Sequence, residues 1–251
     1  METSLKLHAL IRSARRHGVL GSLALVPKNI VHEILWFLDR GFDREHGTDT
    51  STLIHLQRLT IDSGNAVHGN AYEPSSTRLV RAALGQLKLD HGNFAFVDLG
   101  SGKGRTLLLA AEYPFRKIVG VEFSRELHEV AVRNIGIFRS PRQRCRDISS
   151  VLMDATAYSL PVDDLVIYLF NPFKRDVLLP IVDNIRRSLA DRPRRLAILY
   201  YHPTDGDLLE RQDFLPFRRE IPLPYDWTRR EQKKLRVYSN WALSPGGRTA
   251  R

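Results

Sequence analysis

The sequence predicts an α/β fold: a doubly wound, mostly parallel seven-stranded sheet with an antiparallel C-terminal strand pair, preceded by an N-terminal helical cap. Three observations predict it. From Phe94 onward, short apolar runs alternate with helical stretches in a strand–helix rhythm. The runs are apolar throughout rather than at every second residue, as parallel strands covered on both faces are. The last two runs lie too close together for a crossover helix, so they pair antiparallel. The boundaries expected are 1–70 for the cap and 71–251 for the domain that carries the sheet.

In chain order, Leu5 to Arg16, Lys28 to Leu38 and Ser51 to Leu59 show helical apolar patterns separated by Gly and Pro breaks. The polar stretch GFDREHGTDTST between the last two predicts a loop, long enough to fold over a substrate as a lid. A second loop, DSGNAVHGNAYEPSS, leads into a helix over Ser75 to Leu87, whose serines are placed to cap free N–H groups. FAFVDL, KIVGVEF, the apolar run that ends in LMDATAY, DLVIYLF and RLAILYY predict the parallel strands. Arg105 to Glu112, Ser124 to Phe138 and Arg175 to Leu189 predict the helices between them. Phe214 to Ile221 and Leu235 to Leu243 predict the antiparallel pair.

With 43% hydrophobic and 26% charged residues among 251, the chain has the make-up of a globule rather than of a disordered segment. Its net charge of +10 favours anionic partners. The basic residues fall in short clusters (Arg12, Arg15 and Arg16; Arg139, Arg142, Arg144 and Arg146; Arg192, Arg194 and Arg195; Arg229, Arg230, Lys233, Lys234 and Arg236), which fit either solvated faces or a nucleic-acid footprint. A single cysteine, Cys145, excludes an intramolecular disulfide, and no Cys/His spacing suggests zinc, so a reducing, cytoplasmic setting is expected. The apolar run VLGSLALV follows arginines like a signal peptide, but Pro27 comes at once and IVHEILWFL follows; two cap helices are expected instead, with no membrane span.

Gly100, Gly102 and Gly104 follow a strand and open a helix, so a ligand there meets bare backbone and a positive helix end. A phosphate-cradling loop would need Ser or Thr after Lys103, where Gly104 stands, and a dinucleotide fingerprint would place its third glycine at Arg105. The spacing G-x-G-x-G, with Asp98 two residues ahead, resembles motif I of the class I S-adenosylmethionine-dependent methyltransferases. The resemblance implies S-adenosyl-L-methionine as cofactor, held by Asp98, Gly100, Ser101 and Gly102. It also implies that Glu122, 24 positions after Asp98 and followed by Phe123, grips the ribose hydroxyls. A carboxylate suits a diol because it accepts two charge-assisted hydrogen bonds. In LMDATAY, Asp154 resembles the family acid that receives the adenine amino group, with Ala155 beside it. Taken singly, Glu122 is equally a helix cap before Ser124, and Asp154 a turn residue. Together the three acids form a row at the carboxyl edge of the sheet, where open α/β folds bind ligands.

Upstream, NAYEPSSTRLV followed by FVDLGSGKGR and GVEFS is similar to the succession in the non-SET histone lysine methyltransferases, where a Tyr-Gly-Glu-Thr loop closes over the cofactor. The similarity covers about Asn70 to Ala131 and adds Tyr72 and Ser75 to the expected cofactor contacts. Tyr72 and Glu73 are adjacent here, without the intervening glycine.

The strand DLVIYLF runs into Asn171-Pro172-Phe173, which resembles the Asn/Asp-Pro-Pro-Tyr/Phe motif of amino-group methyltransferases, with one proline missing. That implies Asn171 as acceptor for the amine N–H groups as well as a cofactor contact; a strand-ending turn is the other reading. Tyr168 and His202 complete the catalytic candidates, His202 because it titrates near neutrality and could collect the departing proton. The function expected is methyl transfer to a nucleophile, an amine nitrogen of a small molecule or protein side chain. A basic nucleic-acid-binding protein or an RNA methyltransferase is the alternative, and a nicotinamide-dependent oxidoreductase is disfavoured by the glycine spacing.

Overall fold

A computed structural model describes residues 41–52, 54, 72–170, 173–223 and 234–243. The helices expected at 5–16 and 28–38 lie outside the described residues, as do Asn171 and Pro172. The elements are α1 (Thr77–Gly85), β1 (Phe94–Leu99), α2 (Arg105–Ala110), β2 (Lys117–Glu122), α3 (Arg125–Ile137), β3 (Ile148–Leu152), β4 (Asp164–Phe170), α4 (Arg175–Asp191), β5 (Leu196–Tyr201), α5 (Gly206–Glu210), β6 (Phe217–Pro222) and β7 (Lys234–Ser239).

The strands form one sheet in the order β3-β2-β1-β4-β5-β7-β6. The first five are parallel, β7 runs antiparallel to β5, and β6 runs antiparallel to β7. This is the architecture that the sequence predicts. Alternation along each strand feeds two cores. Phe94 and Phe96 of β1 with Val166 and Tyr168 of β4 face one layer. Ala95, Val97 and Leu99 with Leu165, Ile167 and Leu169 face the other, against Val177, Leu178, Ile181 and Ile185 of α4. Both faces of the central strands are therefore shut off from water, which is why the sequence shows no polar alternation there.

Three expectations need correction. GFDREHGTDTST is not a free loop: residues 41–46 are helical, and Phe42 is buried against Phe138, with their rings 6.2 Å apart. One apolar side chain at the right helical position outweighs the polar composition around it. Ser51 and Thr52 are not helical, and Ile54 forms an antiparallel bridge with Tyr72. The hydroxyls of Thr50 and Ser51 bond side chains instead, offering the backbone an alternative to helix. The final strand stops at Ser239 because Asn240 accepts from the Leu196 amide and donates to the Arg194 carbonyl, tying off the β5–β7 ladder.

Candidate active site

Parallel strands bring the ends of β1, β2 and β3 to one rim. The register pairs Asp98 with Gly120 and Glu122 with Leu152, so Asp98, Glu122 and the following Asp154 stand in sequence along the carboxyl edge. The glycine loop joins β1 to α2 between them. The Gly100 and Ser101 amides both donate to the Val121 carbonyl at 2.9 and 3.1 Å, and Gly104, at φ +82°, opens α2. Glu122 is almost wholly buried; its Oε2 accepts from the Gly102 amide at 2.7 Å and its Oε1 from the Ser124 amide at 3.0 Å. A carboxylate offers about four lone-pair sites, so the backbone bonds from Gly102, Phe123 and Ser124 leave acceptor capacity.

Burial also governs the charge of this rim. It pushes the Glu122 carboxyl up to about 7, against the opposing pull of the Ser124 and Gly102 amides. Asp98 is pushed up to about 8, first by burial and then by the nearby Glu122, while a bond from Thr106 draws it down. Tyr168 lies opposite Asp98 in the β1–β4 register, 3% exposed. Burial raises its phenol, and its hydroxyl bonds Ser75. Ser75 Oγ in turn lies 3.5 Å from the Thr106 hydroxyl. Ser75, Asp98, Thr106 and Tyr168 thus form one buried polar cluster beneath the loop. Ser101 is buried too, and its Oγ has no hydrogen-bond partner among the described residues.

Tyr72 lies on the loop from above. A Cβ added at Gly102, φ +55°, would sit 2.3 Å from two Tyr72 ring carbons, so only glycine admits this contact. The Tyr72 hydroxyl donates to the Thr50 carbonyl at 2.7 Å, and its backbone bridges Ile54.

Beside the loop, Gly100, Val121, Phe123, Met153, Asp154, Ala155, Phe173 and Val177 line a narrow cleft open on one side. It is mostly apolar with one carboxylate. Asp154 Oδ1 accepts from the amide and hydroxyl of Thr156 at 2.9 and 2.7 Å, which fixes the carboxylate at the cleft wall. An apolar slot with one fixed acceptor suits a flat heterocycle bearing an amino group.

The catalytic candidates are less closely grouped. Asn171 lies outside the described residues. Tyr168 sits inside the polar cluster, and His202 follows β5 with a left-handed backbone, φ +53°. Phe170 pairs with Tyr201 across β4 and β5, their rings 4.7 Å apart, so His202 leaves the sheet at the level where β4 ends.

Sequence reasoning missed a network that fastens the 41–52 segment to the loop. Arg105, 2% exposed, donates to Thr50 Oγ1 at 2.7 Å, Ser51 Oγ at 2.6 Å and the Ser75 carbonyl at 3.3 Å, and lies 3.7 Å from the Asp43 carboxylate. Asp43 accepts from Thr48, Thr50 and Ser51, bonds that hold its carboxyl below the usual range although burial opposes them. Asn134 of α3 bonds both the amide and the carbonyl of Asp49 and also the Lys103 carbonyl, while Lys103 Nζ pairs with Asp49 at 3.0 Å. The expected lid loop is therefore a strap bolted to the glycine loop. The available signal was an aspartate followed by closely spaced hydroxyl residues, together with an arginine directly after the third glycine.

No protein-family profile matches the chain, and no curated protein matches it in sequence. Solved structures do match in fold. The methyltransferase domain of bacterial CtHen1 is 17% identical at TM-score 0.48, covering 66% of this chain and 98% of that one. A SAM-dependent methyltransferase from Aquifex aeolicus is 16% identical at TM-score 0.48, covering 66% and 93%. A putative RNA methyltransferase from Pyrococcus horikoshii is 15% identical at TM-score 0.42, covering 73% and 93%. What the chain shares with these three methyltransferases is a fold.

Proposed function

We propose that the chain is an S-adenosylmethionine-dependent methyltransferase whose acceptor is an amine nitrogen of a small molecule or a protein side chain. The observation that supports it most is the row of Asp98, Glu122 and Asp154 at three successive strand ends, flanking a bare glycine loop and an apolar slot. The residues suit such a cofactor: Glu122 has spare lone pairs for a diol, Asp154 stands ready for an exocyclic amine, and Phe123, Ala155 and Phe173 supply the slot walls.

When bound, the cofactor supplies an electrophilic methyl on a sulfonium, and in-line attack forms the nitrogen–carbon bond as the carbon–sulfur bond breaks. Residues of this chain hold the partners in line. Tyr72 covers the loop, Asn171 accepts from the amine N–H groups to aim its lone pair, and His202 takes the released proton. Residues 1–70 act as a cap over the acceptor. The single cysteine fits a reducing, cytoplasmic compartment. No helix of the described residues is long and apolar enough to cross a membrane.

Calorimetric titration with S-adenosylmethionine, S-adenosylhomocysteine and NAD tests the reading. Binding of the first two and not of NAD is expected; stabilisation by NAD alone would reverse it. Asn171→Ala is expected to depress turnover far more than cofactor affinity, and equal losses in both would count against its role.

A further inference from the structure

The segment that joins α3 to β3 lies at the end of the sheet opposite the candidate active site, since β3 starts there and ends at the cofactor rim. Between Arg133 and Asp147 it carries five arginines, Arg133, Arg139, Arg142, Arg144 and Arg146, against the single acid Asp147. All five are exposed.

The last three form a row. Cys145 is buried in the core, and the Arg144 and Cys145 amides both donate to the Ala111 carbonyl at 2.7 and 3.1 Å. Cys145 is pinned inward between the exposed Arg144 and Arg146, and the exposed Arg142 lies in the turn just before them.

Neighbouring carboxylates at this end are engaged elsewhere. Asp163 pairs with Arg116 and Lys117, Asp164 with Arg195, and Glu112 with Arg81. Among the described residues Arg142, Arg144 and Arg146 make no salt bridge; Asp147 follows them in sequence, and the exposed Glu45 lies on the helix whose His46 meets the Arg139 carbonyl. A row of unpaired guanidiniums on a backbone fixed to the core does not stabilise the fold; the charges repel one another. Such a cluster suits a polyanion whose charges accept forked hydrogen bonds.

We propose that this face binds the phosphodiester backbone of single-stranded RNA, at a site separate from the methyl-transfer cleft. The proposal does not depend on the methyltransferase reading. Phosphate contacts of this kind carry affinity and little sequence preference.

The test is fluorescence anisotropy of a labelled oligouridine 20-mer against salt, for the full chain, R142Q/R144Q/R146Q and a charge-matched control, R186Q/R187Q/R192Q. The control residues are exposed on and just after α4, on the other face of the sheet. Thermal melts verify that each variant folds. The row variant is expected to bind at least about tenfold more weakly at 100 mM salt, with a log–log salt slope smaller by about 2 for three lost contacts, and the control to change less than about threefold. Equal losses in both variants would overturn the proposal, because net charge alone would then act. Polyglutamate binding as tightly as RNA, or no RNA binding at all, would also overturn it. S-adenosylmethionine titration of the same variants is expected to be unchanged; failure of the parent chain to bind that cofactor would sink the methyltransferase reading and leave the RNA result standing.

Discussion

The two halves of the sheet's carboxyl rim treat charge in opposite ways. Around the β1–β2 end, Asp98, Lys103, Arg105 and Glu122 are each 2–3% exposed, packed into a space of a few residues. Around β5 and α5, the ion pairs Arg175–Asp207 and Arg236–Glu210 lie open to solvent over a core of aliphatic and aromatic side chains. Burying charge is costly, and a fold gains nothing by concentrating that cost in one place. The difference makes the β1–β2 side the candidate site, because perturbed carboxyls beside a bare loop mark a functional-site candidate.

The contrast breaks most visibly at arginine. Arg105→Ala strands Asp43, Thr50 and Ser51 without their cation and is expected to cost about 3–5 kcal/mol in urea unfolding. Arg175→Ala, at an exposed pair, is expected to leave the midpoint unmoved. Comparable losses at both sites would erase the distinction.

A pH series sharpens it. Glu122 and Asp98 titrate at about 7 and about 8 in the fold, well above their ordinary values of 4.5 and 3.8. Between about pH 4 and 8 the native state therefore holds protons that the unfolded chain has lost, and stability falls as pH rises through that window. Glu122→Gln removes one of these groups and is expected to flatten the fall, by up to about 1.4 kcal/mol per pH unit between its unfolded and folded values, where the native carboxyl holds a proton that the unfolded chain has lost. The slope is the readout, since the amide in place of a carboxylate oxygen also forfeits one backbone partner. An unchanged slope between pH 5 and 8 would contradict the burial assignment.

Gly120 tests the packing behind the loop. A Cβ there would lie 2.6 Å from both Leu107 Cδ1 and Ser101 Oγ, so Gly120→Ala is expected to cost about 1–3 kcal/mol in the same assay. Smallest of the measurable losses is Tyr72→Phe, which loses one bond to the Thr50 carbonyl and is expected to cost about 0.5–1.5 kcal/mol while keeping the ring over Gly102.

The strand–helix order, the antiparallel tail and the acid row were legible because each depends on residues close in sequence. FAFVDL, KIVGVEF and the glycine loop announce their own geometry. The strap was not legible. Arg105 meets Thr50 across 55 positions, and Asn134 meets Asp49 across 85. Such contacts leave no periodic trace, and the polar letters of GFDREHGTDTST look the same whether they face water or a buried guanidinium. Phe42 was the single apolar cue, too short a pattern to read as helix. His202 at least carried a side chain that tolerates left-handed backbone, which the fold uses.

The central claim is that Glu122 is buried so that a ligand's diol can claim its carboxylate. Titration of S-adenosylmethionine at pH 7 in two buffers of different ionisation enthalpy measures this directly. The account predicts tight binding with net release of up to about half a proton, a release that disappears together with most of the affinity in Glu122→Gln. Binding of equal strength in both proteins, with no buffer dependence in either, would contradict it.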